Sequence, residues 1–127
     1  MGGHVDLMFE GGGINYIRDG KVRVLGVTSL KRTVNAPNLP TVHEAGVPGY
    51  EATTWTGIVA PAGVPKAIVA RLNHEINTAL QTASLREKLL AIGSEPMPTT
   101  PEQFASLIRS ENTKWADVIK KADIKLQ

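Results

Sequence analysis

Lys21-Val22-Arg23-Val24-Leu25-Gly26-Val27-Thr28-Ser29 is the stretch on which the fold class turns. Its tail, Val24-Leu25-Gly26-Val27, is almost wholly apolar. Such a run fits an interior strand covered on both faces, the habit of parallel sheets. Upstream, Val5-Asp6-Leu7-Met8-Phe9 is a second short apolar run, bounded by glycines on both sides, and its length and flanks favour strand over helix. Between the two, Gly11-Gly12-Gly13 breaks the chain, Ile14 to Asp19 suits a short helix, and Gly20 stops it. Residues 1–28 therefore read strand, helix, strand, a compact βαβ pattern. The class expected is α/β.

Downstream of Ser29, the Asn and Pro residues from Asn35 to Pro40 mark a loop. Thr41, with Glu44 three residues later, has the capping-box pattern, so a short helix closed by Gly46 is expected. Tyr50 to Ala60 is rich in Thr, Trp, Ile and Val and is expected to be extended. Pro61-Ala62-Gly63-Val64-Pro65 is a rigid lead into the longest helical signal, Lys66 to Thr82, where Ile68, Val69, Leu72, Ile76, Ala79 and Leu80 form one stripe. Ser84 is placed to cap a second helix, Leu85 to Ile92, closed by Gly93. Ser94 to Thr100 holds Pro96 and Pro98 and reads at best as an edge strand. Thr100 then caps a last helix with Pro101 at its first position. Its apolar face is Phe104, Leu107, Ile108, Trp115, Val118, Ile119 and Ala122. Asp123 to Gln127 adds a strand or drapes over the core. With about four short strands, the chain has few for a self-sufficient sheet. An opening that enters a strand with almost no lead-in looks cut from something longer.

Composition narrows the function classes. The 127 residues are 42% hydrophobic and 20% charged, the mix of a soluble globular protein. Fourteen Lys and Arg against twelve Asp and Glu leave +2, too little to predict nucleic acid or an anionic membrane as main partner. The absence of cysteine excludes disulfide scaffolds, thiol catalysis and cysteine-based zinc sites. The first residues have neither the basic start nor the long apolar stretch of a secretory signal, and no apolar run approaches the roughly 20 residues that span a bilayer.

No catalytic or metal constellation stands out. His4, His43 and His74 lack metal-ligand spacing and are expected in structural or exposed roles. No GxSxG is present. Asp6 and Glu10 on one strand would stand about 13 Å apart, too far for a coupled acid/base pair. The glycines after Glu10 form neither a P-loop nor GxGxxG. They read either as a strand-to-helix turn or as a close backbone approach to a ligand. In open α/β sheets ligands sit at the carboxyl ends of strands, which here means Phe9, Glu10 and Gly11 on one strand and Thr28 and Ser29 on the next. The two hydroxyls either bond a ligand carboxylate or cap the following loop. Trp55 reads as core or interdomain packing.

The ordered set of motifs is more specific than any one of them. Gly3-His4-Val5-Asp6-Leu7-Met8-Phe9-Glu10 resembles the G-x-V-D-x-x-F-D segment of the tripartite tricarboxylate transporter receptors, the Bug or TctC family. Gly20 to Ser29 and Lys31-Arg32 also resemble it. Leu39-Pro40-Thr41-Val42-His43-Glu44-Ala45-Gly46-Val47-Pro48-Gly49-Tyr50 is similar to its L-P-T-x-x-E-x-G-x-P-G-[YF] segment. Trp55-Thr56-Gly57-Ile58-Val59-Ala60-Pro61-Ala62-Gly63-Val64-Pro65 resembles its hinge stretch, and Pro101 to Phe104, Glu111 and Lys114-Trp115 resemble its last helix. Glu10 departs from the family's Asp, and Gly11-Gly12-Gly13 replaces more polar residues.

The resemblance implies a periplasmic-binding-protein-like fold of type II, two α/β lobes closing like a flytrap, of which this chain matches the C-terminal portion. Residues 1–52 would belong to the second lobe, 53–65 to the crossing between lobes, and 66–127 to the returning segment of the first lobe. The implied function is non-enzymatic: capture of a small carboxylate or dicarboxylate and its delivery to the membrane permease subunits of a tricarboxylate-type transporter. No cofactor is implied. Phe9, Glu10, Gly11, Thr28 and Ser29 would be ligand contacts, and Trp55 would lie near the crossing. The parent would be periplasmic. Missing neighbours would leave apolar surface open, so a homo-oligomer is expected. The alternative is a truncated chain that binds nothing and self-associates through that surface.

Overall fold

A computed structural model describes residues 4–10 and 19–125. The expected short helix from Ile14 and the triple glycine lie outside the described residues. Contacts divide the chain into two units. The first comprises Met1–Val59 and Ala83–Pro96, and the second Ala60–Thr82 and Met97–Gln127. One bond tying the later piece into the first unit is recorded: the Val34 N–H donates to Glu95 Oε1 at 2.8 Å.

Three helices are formed by the described residues. Helix α1 spans Lys66–Leu80, α2 spans Ala83–Ala91 and α3 spans Pro101–Lys121. In the second unit, α1 begins directly after Pro65, with no side-chain cap. Of its apolar stripe, Val69, Ile76 and Leu80 are half-buried while Ile68 and Leu72 stay exposed. Asn73 and Asn77 donate from Nδ2 to the Thr99 carbonyl at 2.8 and 3.0 Å, fixing α1 to the segment that starts α3.

Helix α3 starts as its sequence prescribes. Thr100 Oγ1 accepts from the Gln103 N–H, Gln103 Oε1 accepts from the Thr100 N–H, and Pro101 needs no donor partner. Glu102 in the first turn and Lys120 and Lys121 in the last offset the helix dipole. Phe104, Leu107 and Ile108 are half-buried, whereas Trp115, Val118 and Ile119 are exposed. Further along, Glu111 accepts from Lys114 Nζ and Trp115 Nε1, both at 2.8 Å, and the ammonium lies 5.2 Å from the indole centroid. In the first unit, Ser84 lies inside α2 instead of capping it, and Gly93, at φ 83°, follows the helix end.

The strands expected at Val5–Phe9, Lys21–Val27, Tyr50–Ala60 and Ser94–Thr100 do not form ladders among the described residues. A strand exists only through pairing, and the pairing recorded is a single parallel bridge between Val27 and Thr41. The helix expected after Thr41 is instead a turn. Its capping box is made, but only one i to i+4 bond follows, from the Ala45 N–H to the Thr41 carbonyl, before Gly46 at φ 116° ends it. Four residues cannot offset the cost of nucleating a helix. Thr41 is the buried residue among those described, and no apolar side chain among them is fully buried. No described helix is long and apolar enough to cross a membrane.

Candidate functional site

The best-fixed segment of the first unit is Val27-Thr28. The Val27 N–H donates to the Pro40 carbonyl at 2.9 Å, the Val27 carbonyl accepts from Val42 at 3.0 Å, and the Thr28 carbonyl accepts from Ala52 at 2.9 Å. Three backbone bonds thus hold two residues between the 40–42 and 52 segments. Gly26 makes this approach possible. A Cβ at that position would stand 2.9 Å from the Pro40 oxygen, inside any real carbon contact.

The 40–42 segment is fixed in turn by side chains. Thr41 Oγ1 accepts from the Glu44 N–H at 3.0 Å, and Glu44 Oε2 accepts from the Thr41 N–H at 2.9 Å. Arg32 Nε reaches both Glu44 oxygens, at 3.2 and 2.9 Å, while its Nη1 donates to the Pro37 carbonyl. The Thr41 N–H, and after it the Arg32 guanidinium, hold the Glu44 carboxyl below its ordinary value. The pair is solvent-exposed, so its worth lies in shaping the loop more than in energy.

The residues singled out in the sequence fall as follows. Thr28 and Ser29 are half-buried at the end of the bridged segment. The Thr28 hydroxyl has no hydrogen-bond partner among the described residues, whereas Ser29 Oγ donates to the Lys31 carbonyl at 2.7 Å. Phe9 and Glu10 belong to the same unit and are exposed, Phe9 by 71%. Gly11 lies outside the described residues. Trp55 is 40% exposed and groups with the first unit. Gly26, Arg32 and His43 carry more of the local architecture than their sequence context conveyed. Glycine inside a strand pattern does signal close backbone approach, but nothing in the spacing announces the Arg32–Glu44 pair or a bond between His43 and Gly49.

Chemically, a hydroxyl beside a fixed backbone suits binding. Among the described residues no group of three or more His, Asp or Glu gathers to hold a metal. In the second unit a groove of about 480 Å³ is lined by Lys66, Val69, Asn73, Thr100 and Glu102 among others. The cap and the Asn73 amide there are already bonded within the protein.

Comparison with known proteins gives a concordant result. Residues 1–124 match the family described as tripartite tricarboxylate transporter family receptor. The chain is 44% identical over 100 residues to the UPF0065 protein in the tcbD-tcbE intergenic region of Pseudomonas sp. strain P51, a match covering 78% of this chain and 30% of that protein. To Protein BugT of Bordetella pertussis it is 35% identical over 114 residues, covering 90% and 35%. Among solved structures, R. palustris Rpa4515 with adipate superposes at a TM-score of 0.76 with 37% identity, covering 87% of this chain and 37% of that one. The periplasmic binding protein BugD superposes at 0.76 with 33% identity, covering 91% and 39%. MatC from Rhodopseudomonas palustris with bound malate gives 0.67 with 35% identity, covering 84% and 37%. The chain spans about a third of the length of the curated relatives it matches. Its α/β architecture is that of periplasmic binding proteins. With the family match running almost end to end, the chain belongs to the tripartite tricarboxylate transporter receptors, the Bug or TctC family.

Proposed function

We propose that this chain carries part of the binding surface of a periplasmic receptor for a small carboxylate or dicarboxylate, which delivers its ligand to membrane permease subunits of a tricarboxylate-type transporter without catalysis. The observation that carries the reading is the Thr28 hydroxyl. It is half-buried, lacks a hydrogen-bond partner among the described residues, and sits on backbone held by three bonds. A donor fixed in this way can meet a carboxylate oxygen at little entropic cost. The presence of adipate and malate in related receptors supports this ligand class.

In this reading Phe9, Glu10, Gly11, Thr28 and Ser29 face the ligand. Ser29 must turn its proton away from Lys31 to donate. Glu10 repels a bare carboxylate and so favours a ligand that brings a hydroxyl or a water to it. Residues 1–52 belong to one lobe, 53–65 cross, and 66–127 return to the other, with Trp55 beside the crossing.

Calorimetry with a panel of C4 to C6 dicarboxylates tests the proposal. Saturable heat with at least one member is expected, and Thr28→Val is expected to weaken it. Absence of heat for every member contradicts the reading.

The exposed apolar side chains favour a second reading. Val5, Leu7, Met8 and Phe9 are 61–71% exposed. Surface of this kind drives association, so the chain would form a homo-oligomer, in the extreme case without binding any ligand. Sedimentation showing a monomer at high concentration counts against it.

A further inference from the structure

The imidazole of His43 serves as an acceptor: its Nδ1 takes the backbone N–H of Gly49 at 2.7 Å. A ring nitrogen accepts only while it carries no proton, so this bond requires neutral His43 with its hydrogen on Nε2. Gly49, at φ 78°, occupies the left-handed region open to glycine. The same turn is closed by the Tyr50 N–H on the Val47 carbonyl at 3.1 Å, and two residues later Ala52 donates to Thr28. His43 therefore holds the turn from which the chain enters its bond to Thr28.

We propose that His43 is a pH-sensitive positioning residue: neutral, it latches the Val47–Ala52 turn that pairs with Thr28, and protonated, it releases that turn. Histidine is the side-chain type whose charge ordinarily changes between about pH 5 and 8. Protonation turns the Nδ1 acceptor into a donor, leaving two N–H groups facing each other. Glu44, next in the chain, is electrostatically coupled to His43, and Arg32 in turn holds Glu44. Glu51 lies within the turn in sequence. Because Glu44 and Arg32 neutralise each other, neither substitutes for the missing acceptor. A consequence for ligand release rests on the carboxylate reading of Thr28. The latch itself does not.

Amide exchange of Gly49 and Ala52, followed by NMR on the whole chain between about pH 8 and 5 and corrected for intrinsic rates, tests the proposal. Gly49 protection is expected to fall about three- to tenfold on acidification, with Ala52 following and the His43 Nδ1 resonance titrating in step. His43→Asn places a non-titrating carbonyl oxygen where Nδ1 stood and is expected to keep its protection throughout. His43→Ala is expected to lose it at every pH. Unchanged Gly49 protection in the wild type, or an equal fall in His43→Asn, overturns the proposal. A fall at Gly49 that leaves Ala52 untouched overturns the coupling to Thr28. No ligand enters the measurement, so its failure leaves the carboxylate reading standing.

Discussion

Gly26 and Glu44 show how single residues set the geometry of the Thr28 edge. A methyl group at position 26 meets the Pro40 oxygen, a backbone atom that can yield only by parting the 26–28 and 40–42 segments. Gly26→Ala is therefore expected to cost about 1–3 kcal/mol, the usual penalty of overpacking. Faster amide exchange at Val27 and Val42 will measure it. Glu44 carries a pH signature. Its folded value is depressed, first by the Thr41 N–H and then by Arg32. A depressed carboxyl contributes stability above its unfolded value and loses it as pH falls through the folded one. The capping turn should thus loosen only in acid, below the ordinary glutamate range. Carbon-detected titration of Glu44 checks this. Arg32→Gln should raise its midpoint only partway, because the Thr41 N–H remains.

At the scale of elements, α3 is the clearest case of local sequence deciding local structure. Thr100→Ala removes an acceptor that nothing else supplies and should destabilise the helix by about 0.5–2 kcal/mol, whereas Thr100→Asp should retain most of the cap. Thermal melting followed by circular dichroism distinguishes the two. The three helices were legible because their signals are carried within a few residues: the stripe from Ile68 to Leu80, the glycine after α2, and the Thr100-Pro101 start. The capping box at Thr41 and Glu44 was equally legible, yet it closes a turn, because Gly46 and Pro48 leave no length for propagation. The strands were not legible in the same way. A run such as Val22 to Val27 states a willingness to pair, while the partner is set elsewhere, and among the described residues only Val27 finds one. The Thr28 edge was readable as the end of such a run. Its clamp by Gly26, Pro40 and Ala52 is long-range and was not.

At the scale of the whole molecule, apolar exposure is the dominant physical fact. No described apolar side chain is fully buried, and residues in both units, among them Leu7, Leu25, Leu72 and Val118, are at least two-fifths exposed. The relatives are about three times as long as the aligned region, and more polypeptide or a second copy of this chain would cover such faces. Sedimentation across a concentration series should therefore show association, and Leu7→Glu with Phe9→Glu should reduce it. The ligand capture proposed for the Thr28 edge is a separate property. Titration of labelled protein with adipate or malate, read at backbone amides, tests it most directly. Saturable shifts centred on Thr28 and Ser29, absent with the neutral diamide of the same acid, are predicted. Shifts confined to residues of the second unit, or none at all, would contradict the account.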